Sequence, residues 1–152
     1  NRYFRWFDSG DMYHIKLAYK ILEVMKRTEF CKHWLPTRMY KFKKFQSVLA
    51  EMQALPNVSV RFSSDSVTGE TIEGETTSTI VEGLQDIKDP ETKKIVKKIF
   101  IGVVPKDAEL CRAFEREGKC ATCRACWDKK VKVIAYPAHG NKMKRVLKEA
   151  TV

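Results

Sequence analysis

A chain of 152 residues that is 43% apolar and 11% aromatic has the size of one domain and enough apolar surface to bury a core. No apolar run approaches the roughly 18 residues that a membrane-spanning helix needs, and no basic and apolar leader opens the chain, so neither a spanning helix nor a secretory or transit peptide is expected. The net charge of +10 is uneven: residues 65–92 hold eight acids and one base, Lys88, which leaves +17 on the remainder and permits binding to a polyanion without requiring it.

The elements read in chain order as an alternation. Residues 3–7 (YFRWF) are aromatic-rich and strand-like, and they end at Asp8, Ser9, Gly10 and Asp11, whose short polar side chains suit a helix cap. Leu17, Ala18, Ile21, Leu22 and Met25 recur at helical spacing over residues 12–26, with Lys and Arg collecting at the end where they complement the dipole. Residues 33–36 (HWLP) read as a strand, and Phe42, Phe45, Leu49 and Met52 mark a second helix over 40–54. Pro56 and Asn57 break it, and residues 58–62 (VSVRF) form the next strand. The βαβαβ order predicts an α/β fold with a mainly parallel sheet, doubly wound or a partial barrel.

Residues 66–98 are read as an irregular insertion or lid containing one strand at 77–81 and a charged segment at 86–98. Residues 99–104 and 131–136 are predicted strands, and 141–150 a closing helix. The clusters Lys41/Lys43/Lys44, Lys93/Lys94/Lys97/Lys98 and Lys142/Lys144/Arg145/Lys148 read first as solvated faces, with a nucleic-acid surface as the alternative. The chain starts without Met and enters strand-like sequence at once, so it is expected to be the C-terminal part of a longer protein, and to fold as a single domain.

Chemistry concentrates in Cys111, Cys120, Cys123 and Cys126, spaced C-x8-C-x2-C-x2-C. An x2 gap lets two thiolates reach one ion, and Gly118 supplies the freedom that a tight turn needs. Four thiolates complete either a tetrahedral zinc site or an iron–sulfur cluster, and in the absence of a secretory signal a metal centre is expected over disulfides. The C-x2-C-x2-C run matches the opening of a bacterial ferredoxin motif, which tilts the reading slightly to iron–sulfur, but Trp127 and Asp128 follow where Cys-Pro would stand. Cys31 stands apart and reads as a small buried hydrophobe.

In parallel sheets, ligands bind beyond the C-terminal ends of the strands. The residues just after the predicted strands are polar: Asp8, Ser9 and Asp11, then Thr37 and Arg38, then Ser63, Ser64 and Asp65, and finally His139 with Gly140. If the strands are adjacent, these groups form one rim able to hold a small anionic ligand; taken singly, each also reads as a cap or turn residue. His14 and His33 read as helix and strand residues with core or surface roles. Gly10, Gly69, Gly74 and Gly140 assemble no dinucleotide or phosphate-loop fingerprint, and no nucleophile-elbow or zinc-protease motif occurs.

The blocks FRWFDSGD (4–11), KHWLPTR (32–38), VRFSSD (60–65), GKCATCRACW (118–127) and VIAYPAHG (133–140) resemble the bacteriophage proteins called gene product 88. The resemblance implies a phage protein acting in the cytoplasm of an infected bacterium, and longer members that carry further cysteines upstream; it implies no reaction. The strand order with a cysteine cluster is also similar to partial-barrel radical S-adenosylmethionine enzymes, whose C-x3-C-x2-C motif is absent from these residues. Two functions are therefore carried forward. One is a phage protein with a four-cysteine iron–sulfur or zinc centre beside an anionic-ligand rim. The other is a metal-stabilised module, without catalysis, that binds nucleic acid or a host protein.

Overall fold

Six strands lie side by side in the order β1-β2-β3-β4-β8-β7, and every neighbouring pair is parallel. The structure is a computed structural model that describes residues 2–65 and 68–139. The sheet strands are β1 (Arg2–Arg5), β2 (Cys31–Thr37), β3 (Val58–Ser63), β4 (Thr77–Val81), β7 (Ala108–Leu110) and β8 (Val133–Pro137). Strands β5 (Leu84–Lys88) and β6 (Ile95–Phe100) form a separate antiparallel hairpin. Pairing is staggered, so that Phe62 and Ser63 at the end of β3 meet Thr77 and Ser78 at the start of β4. Stagger of this sense tilts parallel strands as in a barrel, and the sheet is a curled half-barrel.

The two faces are covered differently, which excludes the doubly wound alternative. Helix α1 (Ile15–Arg27) buries Ala18, Ile21, Leu22 and Met25, and α2 (Gln46–Ala54) buries Val48, Leu49 and Met52. Both pack on the alternate residues Leu35, Val58, Val60 and Phe62 of the convex face. Because side chains alternate along a strand, the intervening residues Trp34, Ser59, Arg61, Ser78, Ile134 and Tyr136 face the other way. That concave face is covered by the cysteine loop, with Trp34, Cys126 and Ile134 at its centre. Pro36 is tolerated inside β2 for a simple reason. Trp34 accepts from the Trp6 amide on the β1 side, so Pro36, two residues on, points past the end of β1, where no ladder bond is lost.

Several boundaries differ from expectation. The first strand stops at Arg5, and Phe7 takes a left-handed φ of 54°. Helix α1 starts at Ile15, capped by His14, whose Nδ1 accepts from the Lys16 amide, and not by Ser9 or Asp11. Residues 39–45 are two single 3-10 turns before α2. Within 66–98, β4 is an integral sheet strand and the charged segment is the β5–β6 hairpin; the strand expected at 99–104 is only the end of β6. Strand β7 had no visible pattern, being three residues long. The hairpin legs cross at Gly83 and Gly102, where a Cβ on Gly83 would strike the Gly102 backbone and one on Gly102 the Glu82 carbonyl. The predicted helix at 141–150, Gly140 and the Lys142/Lys144/Arg145/Lys148 cluster lie outside the described residues. No helix among those described is long and apolar enough to cross a membrane.

Candidate functional site

Arg61, on the central strand β3, is 0% exposed and organises the concave face. Its Nε donates to the Cys126 carbonyl at 3.0 Å, and Nη2 donates to the carbonyls of Ala125 and Asp128, both at 2.9 Å. These three acceptors lie on and just after the single turn Ala125–Trp127, so one guanidinium clamps the end of the cysteine loop onto the sheet. Among the described residues no carboxylate pairs with Arg61, and its Nη1 has no partner. Burial lowers its pKa, while the nearby Cys126 and Tyr136 favour the charge. The Cys126 thiol and the Tyr136 hydroxyl share a hydrogen bond at 2.9 Å.

The loop is built of tight turns. Glu117, Gly118 and Ala121 take left-handed φ values of 55°, 78° and 51°, and the Cys123 amide donates to the Cys120 carbonyl at 2.9 Å. Arg124 fastens the same turn by donating to the Ala121 and Cys123 carbonyls. The four thiols lie in one electrostatic neighbourhood. Burial raises Cys111, with further upward contributions from Cys120 and Cys123. Burial pushes Cys126 up to about 11, the Tyr136 hydroxyl and Arg61 pull the other way, and Cys111 and Cys120 add to the rise. Even so, among the described residues no three His, Cys, Asp or Glu side chains gather closely enough to hold a metal ion.

Between this loop and the C-terminal ends of β3, β4 and β8 opens a cleft of about 770 Å³. Cys111, Cys120 and Cys126 from the loop line it, and so do Ser63, Ser64 and His139 from the strand ends. Trp34 and Ser78 contribute to the lining, buried at 4% and 8% exposure, and among the described residues neither the indole Nε1 nor the Ser78 Oγ has a hydrogen-bond partner. Arg5, whose guanidinium lies 4.7 Å from the centre of the Trp34 ring, and Lys98 of the hairpin bring positive charge to the lining. Arg5 also meets Asp8 at 3.2 Å, and Lys98 meets Asp86 at 3.2 Å.

The expected rim therefore divides. Ser63, Ser64 and His139 reach the cleft, and Ser64 Oγ lies 3.1 Å from Thr79 Oγ1. Asp11 does not; its carboxylate accepts from the Met12 amide, the Thr37 hydroxyl and the Arg38 amide, tying the β1–α1 loop to the end of β2. Arg38 and Lys41 both pair with Asp65 outside the cleft, and Asp8 is an exposed partner of Arg5. Ser9 is exposed and outside the lining. His33 is buried between the Trp6 indole N–H, which donates to its Nδ1, and the Thr28 hydroxyl at Nε2. Cys31 is buried, as expected. Sequence reasoning missed Arg61, Trp34, Ser78 and Tyr136. The available signal was parity: a charged residue in an otherwise apolar and small-residue strand, VSVRFS, faces a second buried surface.

The model of the family Gene product 88 matches residues 1–129. The chain belongs to that family. The match takes in β1 to β7, the cysteine loop and Arg61, which places the clamp and the cysteines lining the cleft inside the family's shared region. No curated protein and no solved structure matches the chain.

Proposed function

We propose that this Gene product 88 protein binds a small anionic molecule in the concave cleft, beside a four-cysteine metal centre, iron–sulfur or zinc, and does so inside the infected bacterium. The observation that carries the ligand reading is the pair of unpartnered polar atoms at the cleft, Trp34 Nε1 and Ser78 Oγ. A buried donor left unmet costs about 1–3 kcal/mol. Oxygens of a carboxylate or phosphate group that reached these atoms would satisfy both, with Arg5 and Lys98 set against Glu117 in the lining and Ser63, Ser64 and His139 offering further hydrogen bonds.

The metal reading rests on Arg61. A fully buried cation with no carboxylate in contact costs several kcal/mol unless an anion lies close; Asp128 and Glu109 act on Arg61 less than Cys126 and Tyr136 do, and burial holds these two larger neighbours neutral. Thiolates formed on metal binding at Cys111, Cys120, Cys123 and Cys126 would supply that anion. Such binding releases protons and brings the four sulfurs closer than they stand here.

Anaerobic purification followed by visible absorption and elemental analysis tests the centre. Stoichiometric iron with a visible sulfur-to-iron band, or stoichiometric zinc, is the expected result; neither metal present overturns it. For the cleft, calorimetric titration with phosphate, pyrophosphate and small carboxylates should detect binding that Ser78→Ala weakens. No heat from any of them removes the anionic-ligand reading.

A further inference from the structure

At the end of the sheet opposite the cleft, a ribbon of cations and rings runs along the start of the strands. The Arg124 guanidinium lies 4.3 Å from the centre of the Tyr3 ring and 5.8 Å from that of Trp127, and Tyr3 meets Trp127 edge-on at 5.6 Å. Tyr3 pairs in register with Lys32, so their side chains share the concave face. Lys129 follows the cysteine loop and Lys132 comes directly before β8, so both stand at the same end of the sheet as Lys32 at the start of β2, and Lys32 and Lys132 add to the lowering of the Lys129 pKa after the larger effect of burial. Lys129 is held there by the carbonyls of Gln53 and Leu55 at the end of α2.

None of Lys32, Arg124, Lys129 and Lys132 is in an ion pair among the described residues. Asp128 accepts from the Lys130 amide and Glu75 from the Gln53 side-chain amide, and neither forms an ion pair with these cations. Cations collected at one end of a sheet without carboxylate partners among the described residues gain from a polyanion. Tyr3 remains 39% exposed with a planar guanidinium laid on it, an arrangement on which a nucleobase continues the stack. A duplex offers no unpaired base to such a stack, and a lipid headgroup has no flat face. We infer that Tyr3, Arg124, Trp127, Lys32, Lys129 and Lys132 form a binding surface for single-stranded nucleic acid, separate from the cleft.

The test is fluorescence anisotropy of the full chain with a labelled single strand of about 20 nucleotides, its duplex, and phosphatidylglycerol vesicles. With four cations on phosphates, affinity for the single strand should fall about 50-fold between 50 and 200 mM salt. Lys32→Glu with Lys132→Glu should weaken binding at least tenfold and roughly halve the salt slope. Tyr3→Ala should weaken it about tenfold at every salt concentration, because stacking is not screened. Lys20→Glu with Lys26→Glu on α1 makes the same change in net charge at exposed sites elsewhere and should cost less than threefold. An equal loss from that control pair, duplex bound as tightly as the single strand, or vesicles bound without the oligonucleotide would each overturn the inference.

Discussion

Replacing Arg61 by Met keeps an unbranched apolar stem and removes the clamp. Three carbonyls lose a charged donor, a gross loss of about 1.5–3 kcal/mol each, and this is offset by no longer burying a guanidinium, which costs several kcal/mol. The net loss of global stability should be about 2 kcal/mol, and the local consequence larger, because the end of the cysteine loop can then leave the sheet. Cys126 reports which has happened. Its thiol is pushed up to about 11 from an ordinary 9.0, so at pH 8 only about one in a thousand is ionised. If the loop opens in chelator-treated protein, the thiol returns toward its ordinary value and Cys126 should alkylate about 100-fold faster, read by peptide mass spectrometry. If the loop stays closed, loss of the Arg61 charge pushes the thiol higher still and alkylation slows. Unchanged or slower alkylation in Arg61→Met would therefore refute the clamp.

Three further outcomes follow from the same geometry. Ser78→Ala removes a buried hydroxyl with no partner among the described residues, so the melting temperature should hold or rise by a few degrees while anion binding falls; a clear drop in stability would mean that the hydroxyl is satisfied within the fold. Burial holds the His33 imidazole below its ordinary value, against a smaller contribution from Thr28. The unfolded chain thus takes up a proton near pH 6.5 that the folded protein resists. The stability of metal-free protein should be level above that pH and decline below it, and a thermal scan series in which His33→Gln shows the same acid decline would assign the effect elsewhere. Gly102→Ala places a methyl against the Glu82 carbonyl, so the β5–β6 hairpin must shift; faster hydrogen exchange over residues 84–100 with an unchanged core is expected, and identical exchange would show that the crossing is not tight.

The parts of the fold that were legible in the sequence are those whose physics is local. The run Leu17, Ala18, Ile21, Leu22, Met25 shows its helical period because one face must be apolar, and VSVRFS shows its strand because both faces are buried. The site was legible only as two unconnected halves. Cysteine spacing marks a loop that brings thiols together, and polar residues after strands mark a rim. Parallel order with stagger then selected Ser63, Ser64 and His139 for the cleft and turned Asp11, Arg38 and Asp65 to other duties.

Sequence alone, then, determined the βαβαβ alternation, the convex core, the cysteine loop and the excess of positive charge, because helical and strand periods, residue spacing and charge are properties of neighbours along the chain. It also determined the family. Only the tertiary structure decided that the cysteine loop folds back over the concave face. The cause is Arg61, whose buried Nε and Nη2 donate to carbonyls more than sixty positions away. The same long-range closure made a cleft of Trp34, Ser78 and Tyr136 and gathered Tyr3, Lys32 and Arg124 at the other end, since strand pairing and curvature, and no sequence period, set which distant side chains share a face.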